Sequence, residues 1–178
     1  MQLIRHTLYC LAIFAIPFCT LAAVFPSASE LNAQVEKNGA RFVLARIFGD
    51  AYLEAHVYGQ ISLGSASWLE LAAKLRRESD ASLTTLLNGA VAEALVHAPY
   101  RVMPMLEQGP FTPASSCLPF LSEDELPATL LAKVTRLEKT MSKISSPRYA
   151  SIKDQCLAIA SENRRAIERL GRRGKSTP

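Results

Sequence analysis

The sequence predicts an all-α protein: a compact multi-helix domain that ends in an antiparallel helical hairpin, behind an N-terminal signal peptide. Three observations carry this. Almost every segment between chain breakers spaces its apolar residues by three and four, the period of a one-sided helix. No segment keeps the strict alternation of a half-buried strand. The first 28 residues have the charge and hydropathy layout of an export signal.

Arg5 and His6 give a short, weakly positive start, and residues 8–16 form an apolar run. Pro17 breaks that run, and Thr20-Leu-Ala-Ala23 offers small residues to a peptidase. Cuts after Ala22, Ala23 or Ala28 all fit, so the signal is assigned to residues 1–28. Cys19 is a poor lipidation site because bulky Phe18 precedes it. The competing reading is an uncleaved anchor, since residues 8–25 are about 18 mostly apolar positions, the lower limit for a bilayer span. Pro17 and the small-residue ending favour cleavage.

A single helical domain is expected over residues 29–171, long enough to bury a stable core. Residues 30–48 carry Leu31, Val35, Phe42, Val43, Ile47 and Phe48, interrupted at Asn38-Gly39. Residues 51–61 follow, with Leu53, Val57 and Ile61 on one side. Ser67-Trp-Leu-Glu70 reads as a capping box, after which Trp68, Leu71, Ala72 and Leu75 share a face. Ser79 and Asp80 can cap the next helix, whose stripe is Leu83, Leu86, Leu87, Ala90, Ala94 and Leu95. Pro99 suits the first turn of a short helix through Leu106, which Pro104 must bend or end.

Residues 108–126 are the one long irregular stretch, with Pro110, Pro113, Pro119 and Cys117. Ser122-Glu-Asp-Glu125 reads as a second capping box, opening a helix with Leu130, Val134, Leu137, Met141 and Ile144. Ser145-Ser-Pro147 makes a break. Tyr149, Ile152, Cys156, Ile159, Ile167 and Leu170 then resume the spacing, and Gly171 ends it. Two such helices joined by a short turn form the hairpin. Residues 172–178 are expected to be a loose basic tail.

The run Trp68-Leu-Glu-Leu-Ala-Ala-Lys-Leu-Arg-Arg-Glu-Ser-Asp80, followed by Leu83 and Ala94-Leu95, resembles small exported helical proteins of Gram-negative bacteria. The likeness covers about half of residues 29–178, and its motif is structural: a Trp on a helix, a capped turn, a second helix. It implies an envelope location and an all-helical fold, and it carries no activity.

Removing the signal takes Cys10 and Cys19 with it, leaving Cys117 and Cys156. Two cysteines in an exported chain are expected to pair, because the periplasm oxidises thiols. The alternative is two unpaired thiols buried as small apolar side chains. The net charge of +4 is divided unevenly. Residues 29–132 hold seven Lys/Arg against 12 Asp/Glu, a net of −5. Residues 133–178 hold 12 against four, a net of +8.

The basic end is the one surface feature that points to a partner. Lys133, Arg136, Lys139 and Lys143 fall on one side of their helix, and Arg164, Arg165, Arg169, Arg172 and Arg173 crowd the last turns of the next. A solvated face with cations at a helix C-terminus explains them without function. A patch for an anionic envelope component explains them with one. Nucleic acid does not fit the compartment.

Other site candidates are thin. His56 and His97 lack the ligand partners that a metal needs at three or four residues' distance, and read as surface or helix-end histidines. Glu123, Asp124 and Glu125 cluster at a helix start, where negative charge is favoured. Asp50 and Glu54 lie one turn apart, on a solvated face or flanking a cleft. Trp68 reads as a core anchor. Met103, Met105, Phe111 and Phe120 are either a buried crossover beside the cysteine or an adaptable groove. No nucleophile elbow, phosphate loop or zinc-protease motif occurs. No cofactor or metal is expected. The expected function is an exported, non-enzymatic interaction protein of the envelope: an adaptor, an inhibitor or an immunity-like factor. The alternatives are a periplasmic small-ligand carrier and a weak cell-wall hydrolase.

Overall fold

Helices account for nearly all of the chain that the computed structural model describes, residues 25–118 and 125–173. Among these residues there are nine α-helices, one 3₁₀ turn and no strand. The signal-peptide expectation falls on residues 1–24, outside the described residues, apart from its last four.

Helix α1 (Ala28–Asn38) starts on a capping box that the sequence reading missed. The Ser27 hydroxyl accepts from the Glu30 amide at 3.2 Å, and the Glu30 carboxylate accepts from the Ser27 amide at 2.7 Å. Gly39, at φ +86°, turns the chain into α2 (Ala40–Phe48), a conformation that a Cβ would penalise. Asp50 then caps α3 (Ala51–Ser62), accepting from the amides of Tyr52 and Leu53.

The turn into α4 (Ala66–Arg76) corrects one expectation. Ser65, not Ser67, is the N-cap, and its side chain makes no capping bond. Gly64 adopts φ +73°, and its carbonyl is held by Arg101 at 3.1 Å. That fixed turn starts the helix two residues early and leaves Ser67 inside its first turn. Helix α5 (Ala81–His97) is capped as expected by Asp80, whose carboxylate accepts from the Leu83 amide at 3.0 Å.

Helix α5 buries Leu87, Gly89, Ala90, Val91, Ala92, Ala94 and Leu95, nearly all the way round. A helix apolar on all sides belongs in the middle, and its small residues let neighbours approach closely. It accordingly packs against α3, α4, α6 (Pro99–Gln108), α7 (Pro113–Ser116) and α8 (Pro127–Ser142). Pro104 does not end α6, which runs on to Gln108. Burial of Val102, Met103 and Leu106 outweighs the missing amide at the exposed Pro104.

The second expected capping box is also corrected. Helix α8 begins at Pro127 with Leu126 as N-cap, so Ser122, which lies outside the described residues, does not cap it. Leu126 precedes a proline and is held extended at φ −62°, ψ 141°, which stops the helix from starting earlier. A 3₁₀ turn (Pro147–Tyr149) leads into α9 (Ala150–Arg173), 24 residues and about 36 Å long. Asn163 does not interrupt α9, because its side chain donates to the Ile159 carbonyl one turn back. Gly171 does not end it either. It lies beside Pro127, whose Cβ would stand 3.8 Å from an added methyl, an ordinary packing distance that leaves room for a side chain. Arg172 and Arg173, expected in the loose basic tail, belong to α9, and residues 174–178 lie outside the described residues.

One contiguous core runs from Ala28 to Ile167 through every α-helix except the four-residue α7, with Cys117 carrying it past that element. Cys117, at the end of α7, is disulfide-bonded to Cys156 on α9, with Cα atoms 5.1 Å apart. Both are fully buried. The bond ties the proline-rich crossover to the last helix. Phe111 and Met103 are buried in the same core, so they form the packed crossover and not an adaptable groove. Phe120 lies outside the described residues.

Candidate functional site

The basic residues singled out by sequence sit on α8 and α9, and the structure splits them into two groups. Lys133 and Arg164 are engaged within the protein. The Lys133 ammonium meets the Glu125 carboxylate at 2.6 Å, with both side chains about one-quarter exposed. Arg164 reaches across to α8, donating to Thr135 at 2.9 Å and to both carboxylate oxygens of Glu138. That pairing raises the Arg164 pKa, the hydrogen bond to Glu138 being the main cause. These two cations hold the packing of α8 together.

Arg136, Lys139, Lys143, Arg165 and Arg169 form the second group, and all five are exposed. On α8 the first three recur at three and four residues, a single stripe facing away from the core residues Leu130, Val134, Leu137 and Met141. On α9, Arg165 and Arg169 are one turn apart and opposite Cys156 and Ala160. The result is two cationic stripes on neighbouring helices, not one compact pocket. Coulombic attraction from such stripes is long-ranged, weakly selective and salt-sensitive.

Two other cations close the tertiary structure. Arg148 clamps Glu107 of α6 through two nitrogens, at 3.0 and 2.6 Å. Lys153 donates to the Ile144 carbonyl at 3.0 Å.

The remaining candidates resolve into structural roles. Asp50 is a helix cap, and Glu54, one turn on, lines a small apolar pocket with Val57 and Tyr58. His97 is the exposed last residue of α5, as a helix-end histidine should be. His56 differs from its expected surface role. Its ring stacks on Phe25 at 4.6 Å and meets the edge of Trp68 at 5.7 Å. Trp68 itself is 8% exposed and belongs to the core. No local spacing could have shown this trio, because its members come from three separate parts of the chain.

A second unforeseen group surrounds Tyr58 on α3. Burial raises its pKa, and the Glu93 and Glu125 charges push it further in the same direction. An open apolar groove of about 600 Å³ lies where α8 begins and α9 ends, lined by Leu126, Pro127, Leu131, Ile167 and Gly171. Among the described residues, no group of three or more His, Cys, Asp or Glu could hold a metal ion. Among the same residues, no helix is long and apolar enough to cross a membrane. No family model matches the chain, and no curated protein or solved structure matches it either.

Proposed function

We propose that the chain is an exported, non-enzymatic helical interaction protein of the bacterial envelope, an adaptor, inhibitor or immunity-like factor, whose last two helices meet an anionic partner. The observation that carries this reading is the sorting of cations on α8 and α9. Lys133 and Arg164 serve the packing, while Arg136, Lys139, Lys143, Arg165 and Arg169 stand exposed. Export to the periplasm or beyond is supported by the sequence of residues 1–23 and by the buried Cys117–Cys156 bond, which suits an oxidising compartment.

The platform for these cations is read as an antiparallel hairpin. Pro127 neighbours Gly171, Glu138 meets Arg164, and Ile144 meets Lys153, so one helix number rises as the other falls. The partner is an anionic envelope component, a lipid headgroup surface or a cell-wall polymer. The test is binding of the exported protein to anionic vesicles and to cell-wall material at 0.1 M and 1 M salt. Attraction should collapse at high salt, because the Debye length falls from about 10 Å to about 3 Å. A comparison protein with Arg165, Arg169, Arg172 and Arg173 changed to Gln keeps helix propensity and removes charge. Equal binding by the two proteins, or none at low salt, would reduce the stripes to solvated helix faces.

A small-ligand carrier is the second reading, favoured by the apolar groove between Leu126 and Gly171. Saturable uptake of a fluorescent fatty acid, lost on changing Leu131 to Asp, would support it over the first.

A further inference from the structure

We infer that the anionic partner is a phospholipid bilayer, whose acyl chains enter the apolar groove where α8 begins and α9 ends while its phosphates meet the cationic stripes on either side of that groove. This rests on the anionic-partner reading and narrows it from two chemistries to one.

The groove and the stripes share a face of the molecule. Successive residues of a helix turn by about 100°. On α8 the buried row is Leu130, Val134, Leu137 and Met141. Going round from it, the next positions are Glu138 and Thr135, which bond Arg164 of α9, and the groove residues Leu131 and Ala128 lie beside them. The exposed Lys139, Lys143 and Arg136 come after, at the back of the helix. Round α9 the order repeats. Arg164 faces α8, the groove residues Gly171 and Glu168 border it, and the exposed Arg165 and Arg169 follow at the back. The groove therefore opens outward along the seam of the two helices, with a cationic stripe beyond each wall.

Its lining suits hydrocarbon and not a sugar polymer. Leu126, Pro127, Ala128, Leu131 and Ile167 form most of a space of about 600 Å³, within the range of about 300–1,000 Å³ that small-molecule sites occupy. Leu126, at its end, is 72% exposed. A polar polymer would leave that side chain in water, whereas a lipid leaflet covers it. In surface binding of this kind, attraction to anionic lipid adds to the apolar area buried. Among the described residues of the lining, Glu168 is the one carboxylate. It acts on Arg164, whose pKa its charge helps to raise, and Arg165 and Arg169 flank it along α9. Asp154 and Glu162 lie further back on the helix, away from the groove.

The test compares the exported protein on three probes at low salt: phosphatidylcholine vesicles containing phosphatidylglycerol, vesicles of phosphatidylcholine alone, and purified peptidoglycan. Binding to the phosphatidylglycerol vesicles alone is expected. Leu126→Trp reports the groove, read as the difference from the parent, whose single tryptophan is Trp68. Its emission should move to shorter wavelength on those vesicles and be quenched by lipids brominated along the acyl chain. An unchanged spectrum on vesicles that bind the protein overturns the inference. Leu126→Ser with Ala128→Gln changes two exposed residues and no charge, and circular dichroism checks that the fold is kept. Its affinity for phosphatidylglycerol vesicles should fall about tenfold. Equal affinity, or equal binding to the two vesicle types, overturns the inference. Binding to peptidoglycan with none to vesicles overturns it and leaves the anionic-partner reading standing. Binding to none of the three overturns both. Uptake of a free fatty acid without vesicle binding overturns it in favour of the carrier.

Discussion

Two side chains near helix starts show how much a single residue can decide. The Ser27 hydroxyl and the Asp80 carboxylate each satisfy an amide that helix geometry leaves without a partner. Replacing Ser27 by Ala should cost about 1 kcal/mol and lower the thermal midpoint by about 2–4 °C, read by calorimetry. Asp80 carries a pH signature as well. The amide of Leu83, and after it the hydroxyl of Ser82, hold its carboxyl below the usual range, and the Ser27 amide does the same for Glu30. A folded-state pKa below the unfolded one gives stability that is present above the unfolded value and lost as pH falls through the folded one. The midpoint should therefore drop as pH goes from about 5 toward 3, and Asp80→Asn, which still caps, should flatten that drop. An unchanged slope would separate the acid transition from this cap. Asp80 was legible in the sequence because it acts on an amide three residues away. His56 was not, because Phe25 and Trp68 reach it only once α1, α3 and α4 have packed.

The interiors of the helices were legible, whereas several of their ends were set by other elements. Apolar spacing located every long helix, since burial of one face is what that spacing encodes. Ser67 was misread because the turn at Gly64 is fixed by Arg101, 37 residues on, and Gly171 was misread because α9 carries on through it to Arg173. The two left-handed glycines make a graded test. At Gly39 a Cβ would meet open space, so Gly39→Ala should show only the backbone penalty of about 1–2 kcal/mol. At Gly64 a Cβ would stand 2.6 Å from the Ala98 Cβ, a contact that forces the turn between α3 and α4 away from the junction of α5 and α6. Gly64→Ala should cost at least about 2 kcal/mol more than Gly39→Ala in urea unfolding. Equal losses would show that the contact between Gly64 and Ala98 yields without strain.

At the scale of the whole molecule, the charge division of the sequence becomes a division of roles within two helices. Counting located the basic end, but only packing distinguishes Arg164, held by Glu138, from Arg165 beside it, because the distinction depends on which way each faces. The Cys117–Cys156 bond is the other global feature, and its pairing was legible because only these two cysteines follow residue 28. Changing both to Ser should cost about 2–5 kcal/mol, seen as a lower urea midpoint, and an unchanged midpoint would mean that the core alone sets the stability. The same bond makes residues 117–156 a covalent ring, with the crossover, the whole of α8 and the 3₁₀ turn strung along it. A protease that nicks the ring anywhere between its two anchors opens the loop without dividing the molecule. Both pieces still travel as one mass until a reductant is added. Damage to the most irregular part of the chain is thus survivable in an oxidising compartment and severing in a reducing one.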